Sequence, residues 1–198
     1  MTKISLFQDS MQGSSLITYL NRILFFTASL TISFNIFAFD LVDMKQGVNS
    51  IDLNGDGRTD YFFLAHYDNN KSHPSLTVTF YVNKPDGGYS MMPSIVKDEF
   101  PYFSLALSGS NVTVNGFTLM RDRENVYFIT VNKALISAYD QQKFYFTLYK
   151  FIQNEDNPGV PLYSWEKLTE AISRNKYFSA EESFVELESH FLNTIKVQ

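Results

Sequence analysis

Nine residues, Asp52-Leu53-Asn54-Gly55-Asp56-Gly57-Arg58-Thr59-Asp60, hold the densest run of oxygen donors in the chain. Counted from Asp52, side-chain oxygens fall at positions 1, 3, 5 and 9, and the Arg58 carbonyl falls at position 7. Hard cations such as Ca²⁺ take six to eight oxygens, and loops that hold them need a glycine at position 6, where the chain bends sharply. Gly57 stands there. The expected metal set is therefore Asp52, Asn54, Asp56, Arg58 and Asp60, with Ca²⁺ in a structural role. An EF-hand would place Glu at position 12. Phe63 occupies it here, inside an apolar run, so a shorter strand-associated loop is the closer analogue. Asn54-Gly55 and Asp56-Gly57 also suit a plain hairpin turn. Three Asp and one Asn at coordinating spacing exceed what a turn requires.

A second group follows. His66, Asp68, Asn69 and His73 form a candidate functional loop, with types suited to metal binding or proton transfer. The spacing is not one used for zinc, which takes three or four well-placed ligands. Local hydrogen bonding within a polar loop is the plainer reading. His190 is expected at the surface of a helix. Nucleophilic chemistry finds little support. Ser94-Ile95-Val96-Lys97, Ser164-Trp165-Glu166-Lys167 and Ser173-Arg174-Asn175-Lys176 all fit Ser-x-x-Lys. Three occurrences show how undemanding that pattern is, and the Ser-Asp-Asn and Lys-Thr-Gly elements that accompany it in serine β-lactamases are missing. The chain has no Gly-x-Ser-x-Gly elbow, no Cys and no phosphate-cradling glycine loop, so no catalytic residue is assigned.

These groups need elements to position them. Leu24 to Phe34 is an uncharged apolar run preceded by Arg22 and followed by Asn35-Ile36-Phe37-Ala38. This is the pattern of a secretory signal peptide over residues 1–38, cut after Ala38, with Met11 as a candidate true start. The run is short for a membrane span, so no stable anchor is expected after cleavage. Residues 39–198 then form a single β-rich domain. Removing Lys3, Arg22 and Asp9 from 16 basic and 21 acidic residues leaves 14 and 20, a net charge of −6. That balance disfavours nucleic acid as a partner. With no Cys, the domain must hold itself by packing, and the 14 Phe and 11 Tyr of residues 39–198 supply the material.

Strands are predicted at Tyr61–Tyr67, Leu76–Val82, Phe103–Leu107, Val112–Leu119, Val126–Val131 and Lys143–Ile152, from β-branched and aromatic runs separated by turn residues. On the last of these Tyr145, Thr147 and Tyr149 alternate opposite Phe144, Phe146 and Leu148 and form a candidate binding face. Near the end the period lengthens. Trp165, Leu168, Ala171 and Ile172 share a helical face, and Ser179-Ala180-Glu181-Glu182 is a capping box before Phe184, Leu187 and Phe191. Two C-terminal helices are expected, at about 165–175 and 180–193. The fold class is α+β: a predominantly antiparallel β sheet or sandwich-like domain with two C-terminal helices. Nothing in the sequence sets an oligomeric state.

Lys45-Gln46-Gly47-Val48-Asn49-Ser50-Ile51, the Asp52–Asp60 loop and Tyr67-Asp68-Asn69-Asn70-Lys71-Ser72-His73 together resemble the carbapenem self-resistance proteins of the CarG type. The resemblance is best from Lys45 to Phe80. It implies a periplasmic protein of a Gram-negative bacterium that protects the cell from carbapenems without hydrolysing them. The partner it implies is either a carbapenem or a cell-wall transpeptidase. Two alternatives stand beside it: a Ca²⁺-stabilised envelope or adhesion module, and an unrecognised periplasmic hydrolase using His66, Asp68 or Ser94.

Overall fold

The computed structural model describes residues 39–68, 70, 73–95, 99–107, 112–123, 125–134 and 136–195. The leader assigned to residues 1–38 lies outside them, as does Asn69 of the candidate loop. Among the described residues no helix is long and apolar enough to cross a membrane.

Two antiparallel sheets make the fold. The smaller has the order β2 (Gly47–Ile51), β3 (Asp60–Tyr67), β4 (Ser75–Asn83), β5 (Tyr89–Met92), and β6 (Tyr102–Phe103) also pairs with β4. The larger has the order β1 (Asp40–Leu41), β8 (Thr113–Asp122), β9 (Asn125–Lys133), β10 (Phe144–Gln153), β11 (Tyr163–Ile172), and β7 (Leu105–Ala106) also pairs with β8. Ser104 marks the point where the chain leaves one sheet for the other. Its N–H donates to the Leu76 carbonyl at 2.8 Å, and its hydroxyl accepts from the Leu76 N–H at 2.9 Å. The predicted strand Phe103–Leu107 is thus two short strands, one per sheet.

Alternation sets the layers. Phe62, Leu64, Val78, Phe80, Val82 and Met92 point from the small sheet onto Phe117, Leu119, Val126, Phe128, Tyr163 and Trp165 of the large one. Phe80 sits 5.3 Å from Phe128 and 5.2 Å from Trp165, ring centre to ring centre, so edge-to-face contacts join the sheets. Each such side chain, fully buried, stabilises the fold by about 1.5–3 kcal/mol. The opposite face of the large sheet is also covered. Met120, Tyr127, Ile129, Val131, Phe144, Phe146 and Leu148 pack with Ala180, Leu187 and Phe191 of the C-terminal helical segment.

That segment comprises α1 (Ala180–Ser183), a 3₁₀ turn (Phe184–Glu186) and α2 (Leu187–Ile195). It matches the expected second helix. The capping box is not made: the Ser179 hydroxyl makes no cap hydrogen bond, and Glu182 accepts from the Phe178 N–H, one residue before the cap, at 3.0 Å. The expected first helix, about 165–175, is not there. Residues 165–172 belong to β11, paired with β10, and 173–175 lie in the segment that follows it. The ladder shifts register between Leu148 and Tyr149, and the extra residue moves the apolar positions onto the other face. Trp165 packs between the sheets, while Leu168 and Ala171 face the helical segment. A bulged edge strand that sends apolar side chains to both faces therefore imitates a helical period.

Candidate functional site

The Asp52–Asp60 loop joins β2 to β3 and folds around its own carboxylates. Gly55 and Gly57 take left-handed backbone, φ +75° and +80°. That conformation turns their N–H groups inward, and they donate to Asp52 Oδ1 and Oδ2, both at 2.8 Å. Asp56 N–H donates to Asn54 Oδ1 at 3.2 Å, and Arg58 N–H donates to Asp56 Oδ1 at 2.8 Å. The second Asp56 oxygen accepts from Asn54 Nδ2 at 2.7 Å and pairs with the Arg58 guanidinium. Arg58 Nε also reaches the Asn83 carbonyl at 3.3 Å.

Asp60 takes a different role. It is fully buried, and its carboxylate accepts from the Leu53 N–H at 2.8 Å and from the Asn83 N–H at 2.7 Å. It therefore ties the start of the loop to the end of β4. Burial pushes its pKa up, the two backbone donors pull it down, and the nearby Asp56 and Asp52 charges add to the rise. The balance lies above the ordinary carboxylate value. Loss of a buried acceptor with two backbone donors costs about 1–3 kcal/mol for each donor stranded.

Of the five expected metal residues, the structure gathers Asp52, Asn54, Asp56 and Arg58 around one turn and draws Asp60 inward. Among the described residues no three His, Asp or Glu side chains group as a metal ion takes them. Two carboxylates and one amide oxygen remain at the loop surface. Each carboxylate oxygen that accepts one N–H keeps a further lone pair.

The second candidate loop is not assembled into a cluster. His66 is exposed on β3 opposite Leu76, Asp68 Oδ1 accepts from the Asn70 N–H at 2.9 Å, and His73 lies in the bend before β4. No hydrogen bond links His66, Asp68 and His73 among the described residues. Ser94 is buried, and its N–H donates to the Glu99 carbonyl at 2.7 Å. The Tyr145-Thr147-Tyr149 face also divides. Only Tyr145 is exposed, Thr147 is buried with its hydroxyl 3.4 Å from Glu170, and Tyr149 packs against Phe128 between the sheets.

The lead-in to the loop has a structural reason for its residues. Gly47 takes φ +98°, and Asn49 closes a ring on Lys45, accepting from its N–H at 2.9 Å and donating to its carbonyl at 2.6 Å. This lead-in and the loop both fall within residues 44–186, which match the family model described as carbapenem resistance protein CarG-like. The chain belongs to the CarG-like family. The crystal structure of CarG superposes with a TM-score of 0.72 at 40% sequence identity, covering 74% of this chain and 94% of CarG. No curated protein matches the chain.

The family match ends on Glu186, a residue that the sequence reading passed over. Its carboxylate is 6% exposed and accepts from the Arg174 N–H (2.6 Å), the Asn175 N–H (2.9 Å), Asn175 Nδ2 (3.1 Å) and the Tyr177 hydroxyl (2.7 Å). His190 Nε2 lies 3.0 Å away. Burial alone would raise its pKa, but the Tyr177 hydroxyl, the two backbone donors and His190 outweigh it and hold the group down to about 2. His190 is correspondingly not a surface residue: its ring is largely covered and stands 5.5 Å from Phe146. Lys133 was also missed. Its buried ammonium donates to the Ala138 carbonyl at 2.7 Å and the Phe178 carbonyl at 2.8 Å. Only the i, i+4 spacing of Glu186 and His190 is linear; the other partners come from segments that the fold brings together.

Proposed function

We propose that this chain is an exported protein that protects a Gram-negative cell from carbapenems by binding rather than by hydrolysis. The observation that carries the reading is the family match across residues 44–186, joined to 40% identity with CarG over nearly all of that protein. The positions of the candidate hydrolytic groups agree with it. Ser94 is enclosed, and His66 and Asp68 make no bond to each other that would activate a nucleophile. The bound partner on this reading is the drug or a cell-wall transpeptidase. Export rests on the leader pattern in residues 1–38 and predicts a mature N-terminus at Phe39 in the periplasmic fraction.

The test is susceptibility paired with turnover. Expression in a carbapenem-sensitive Gram-negative host should raise the carbapenem concentration needed to stop growth, while purified protein leaves the β-lactam absorbance of imipenem unchanged. Unchanged susceptibility overturns the protective role, and steady loss of absorbance overturns the non-enzymatic one.

Ca²⁺ enters this reading as a structural ligand of the β2–β3 loop, held by Asp52, Asn54, Asp56 and the Arg58 carbonyl. Its arrival would free the Arg58 guanidinium from Asp56. Millimolar Ca²⁺ should then raise Tm by a few degrees, and Asp56→Ala should remove the rise. A Tm indifferent to Ca²⁺ in the unmutated protein would sink the site.

A further inference from the structure

At one end of the large sheet, the loop from β9 to β10 and the segment after β11 enclose an open hollow of about 430 Å³. Ile136, Gln142, Lys143, Tyr145, Ile172 and Lys176 line it. The volume falls in the range that holds a small molecule. Its walls combine two kinds of chemistry. Ile136 is 94% exposed, Tyr145 51% and Ile172 42%, so three apolar side chains face water here. Beside them stand two ammonium groups, Lys143 and Lys176, that have no carboxylate partner among the described residues. The exposed ammonium groups of Lys45, Lys84, Lys150 and Lys167 all pair with a carboxylate within 4.0 Å. In a chain of net charge −5, two unpaired cations beside one apolar hollow invite an anion with an apolar body.

The frame is fixed before any ligand arrives. Gln142 and Tyr177 exchange backbone hydrogen bonds at 3.0 and 2.9 Å, joining the two rims. The Lys133 ammonium reaches a carbonyl on each, Ala138 and Phe178. Ser173 holds Phe144 through both its N–H and its hydroxyl, at 2.8 and 3.0 Å. Glu186 holds the Arg174 and Asn175 N–H groups on the far side. Lys143 and Lys176 therefore project from backbone that is pinned on either side of them, so little ordering remains to be done on binding.

We propose that this hollow binds a small organic carboxylate with a compact apolar body, the carboxylate between Lys143 and Lys176 and the body against Tyr145, Ile136 and Ile172. The pocket chemistry stands on its own geometry. It deepens the protective reading in one respect, and there it rests on it: a carbapenem is a compact bicyclic carboxylate and would dock here.

Calorimetric titration of the purified protein with sodium benzoate and with benzamide tests the pocket, the two probes differing in charge and hardly in shape. Benzoate should saturate in the millimolar range or below, and benzamide should bind about tenfold more weakly, a difference of about 1.4 kcal/mol. Lys143→Gln combined with Lys176→Gln should weaken benzoate about tenfold with Tm unchanged, since both side chains are exposed, and Tyr145→Ala should weaken both probes. Absence of saturation, equal binding of the two probes, or full benzoate affinity in the double lysine variant overturns the pocket. Imipenem that displaces benzoate supports the hollow as the drug's site. Benzoate binding without displacement overturns that assignment, while the susceptibility measurement judges the protective role separately.

Discussion

Glu186 shows how one side chain fixes a segment that has no regular structure of its own. Arg174 and Asn175 lie between the end of β11 and the start of α1, where neither sheet nor helix satisfies their N–H groups. The carboxylate takes both, together with the Tyr177 hydroxyl. Hydrogen bonds to a charged acceptor are each worth about 1.5–3 kcal/mol, and stranding their donors costs a similar amount. Glu186→Gln should therefore lower stability by about 2–4 kcal/mol in urea unfolding. The pH dependence follows from the same contacts. The folded pKa of about 2 lies below the ordinary value of 4.5, so the stabilisation is complete above about pH 4.5 and fades as the pH falls towards 2. The unmutated protein should lose stability across that window, and the Gln variant should lose less over the same window. Equal acid sensitivity in the two proteins would contradict the assignment. The acidic loop could be read directly because its donors are consecutive in sequence. Glu186 could not, because Arg174, Asn175 and Tyr177 come from the irregular segment after β11, which the finished fold brings back to it.

At the scale of elements, the helical segment docks on the large sheet through a closely fitted contact. Gly116 on β8 faces Ala180 at the first residue of α1, and a Cβ placed on Gly116 would lie 2.9 Å from the Ala180 Cβ. Neither atom sits on a side chain that can swing aside, so α1 must shift. Gly116→Ala should cost about 1–3 kcal/mol as an overpacked contact. Ala180→Gly alone should cost about 1 kcal/mol through helix propensity. Combined, the two should be less destabilising than their sum, with a coupling of at least about 0.5 kcal/mol in a double-mutant cycle. Strict additivity would show that the helix does not rest on β8 at this point. The edge strand β11 explains the main misreading of the sequence. On β10 exposed Tyr145 stands between buried Phe144 and Phe146, and that strand was legible, whereas β11 exposes Glu166, Lys167 and Glu170 without a period of two. Phe62, Phe80 and their neighbours keep a clean period of two because the outer face of the small sheet is open, and those strands were legible. On β11 the bulge opposite Leu148 and Tyr149 added the residue that moved the apolar positions from one face to the other and gave an apparent helical spacing.

For the whole molecule, the question is what holds three layers together without a disulfide. The answer is aromatic packing between the sheets, where Phe80, Phe128 and Trp165 meet within 5.5 Å of one another, and aliphatic and aromatic packing beneath the helical segment. Six strand segments were readable from the sequence, while β1, β2 and β5 were not and β11 was read as a helix; the assignment to two sheets was not readable either, because it turns on the crossing at Ser104 and on short strands that pair at the sheet edges. The first of these edge strands packs residues 39–42 onto the large sheet. Phe39 is 7% exposed in the cluster with Met120 and Tyr127, Asp40 and Leu41 pair with Arg121 and Met120, and the Val42 N–H donates to the Leu119 carbonyl at 2.9 Å. A chain beginning at Phe39, the N-terminus expected after leader removal, should therefore unfold in one cooperative transition. A chain beginning at Asp43 loses a buried Phe and a strand, and should be less stable by about 3–5 kcal/mol, the cost of deleting a large aromatic from a core. Urea midpoints of the two chains compare them directly. Equal midpoints would place the domain boundary after β1 and would remove the structural reason for a mature protein that starts at Phe39.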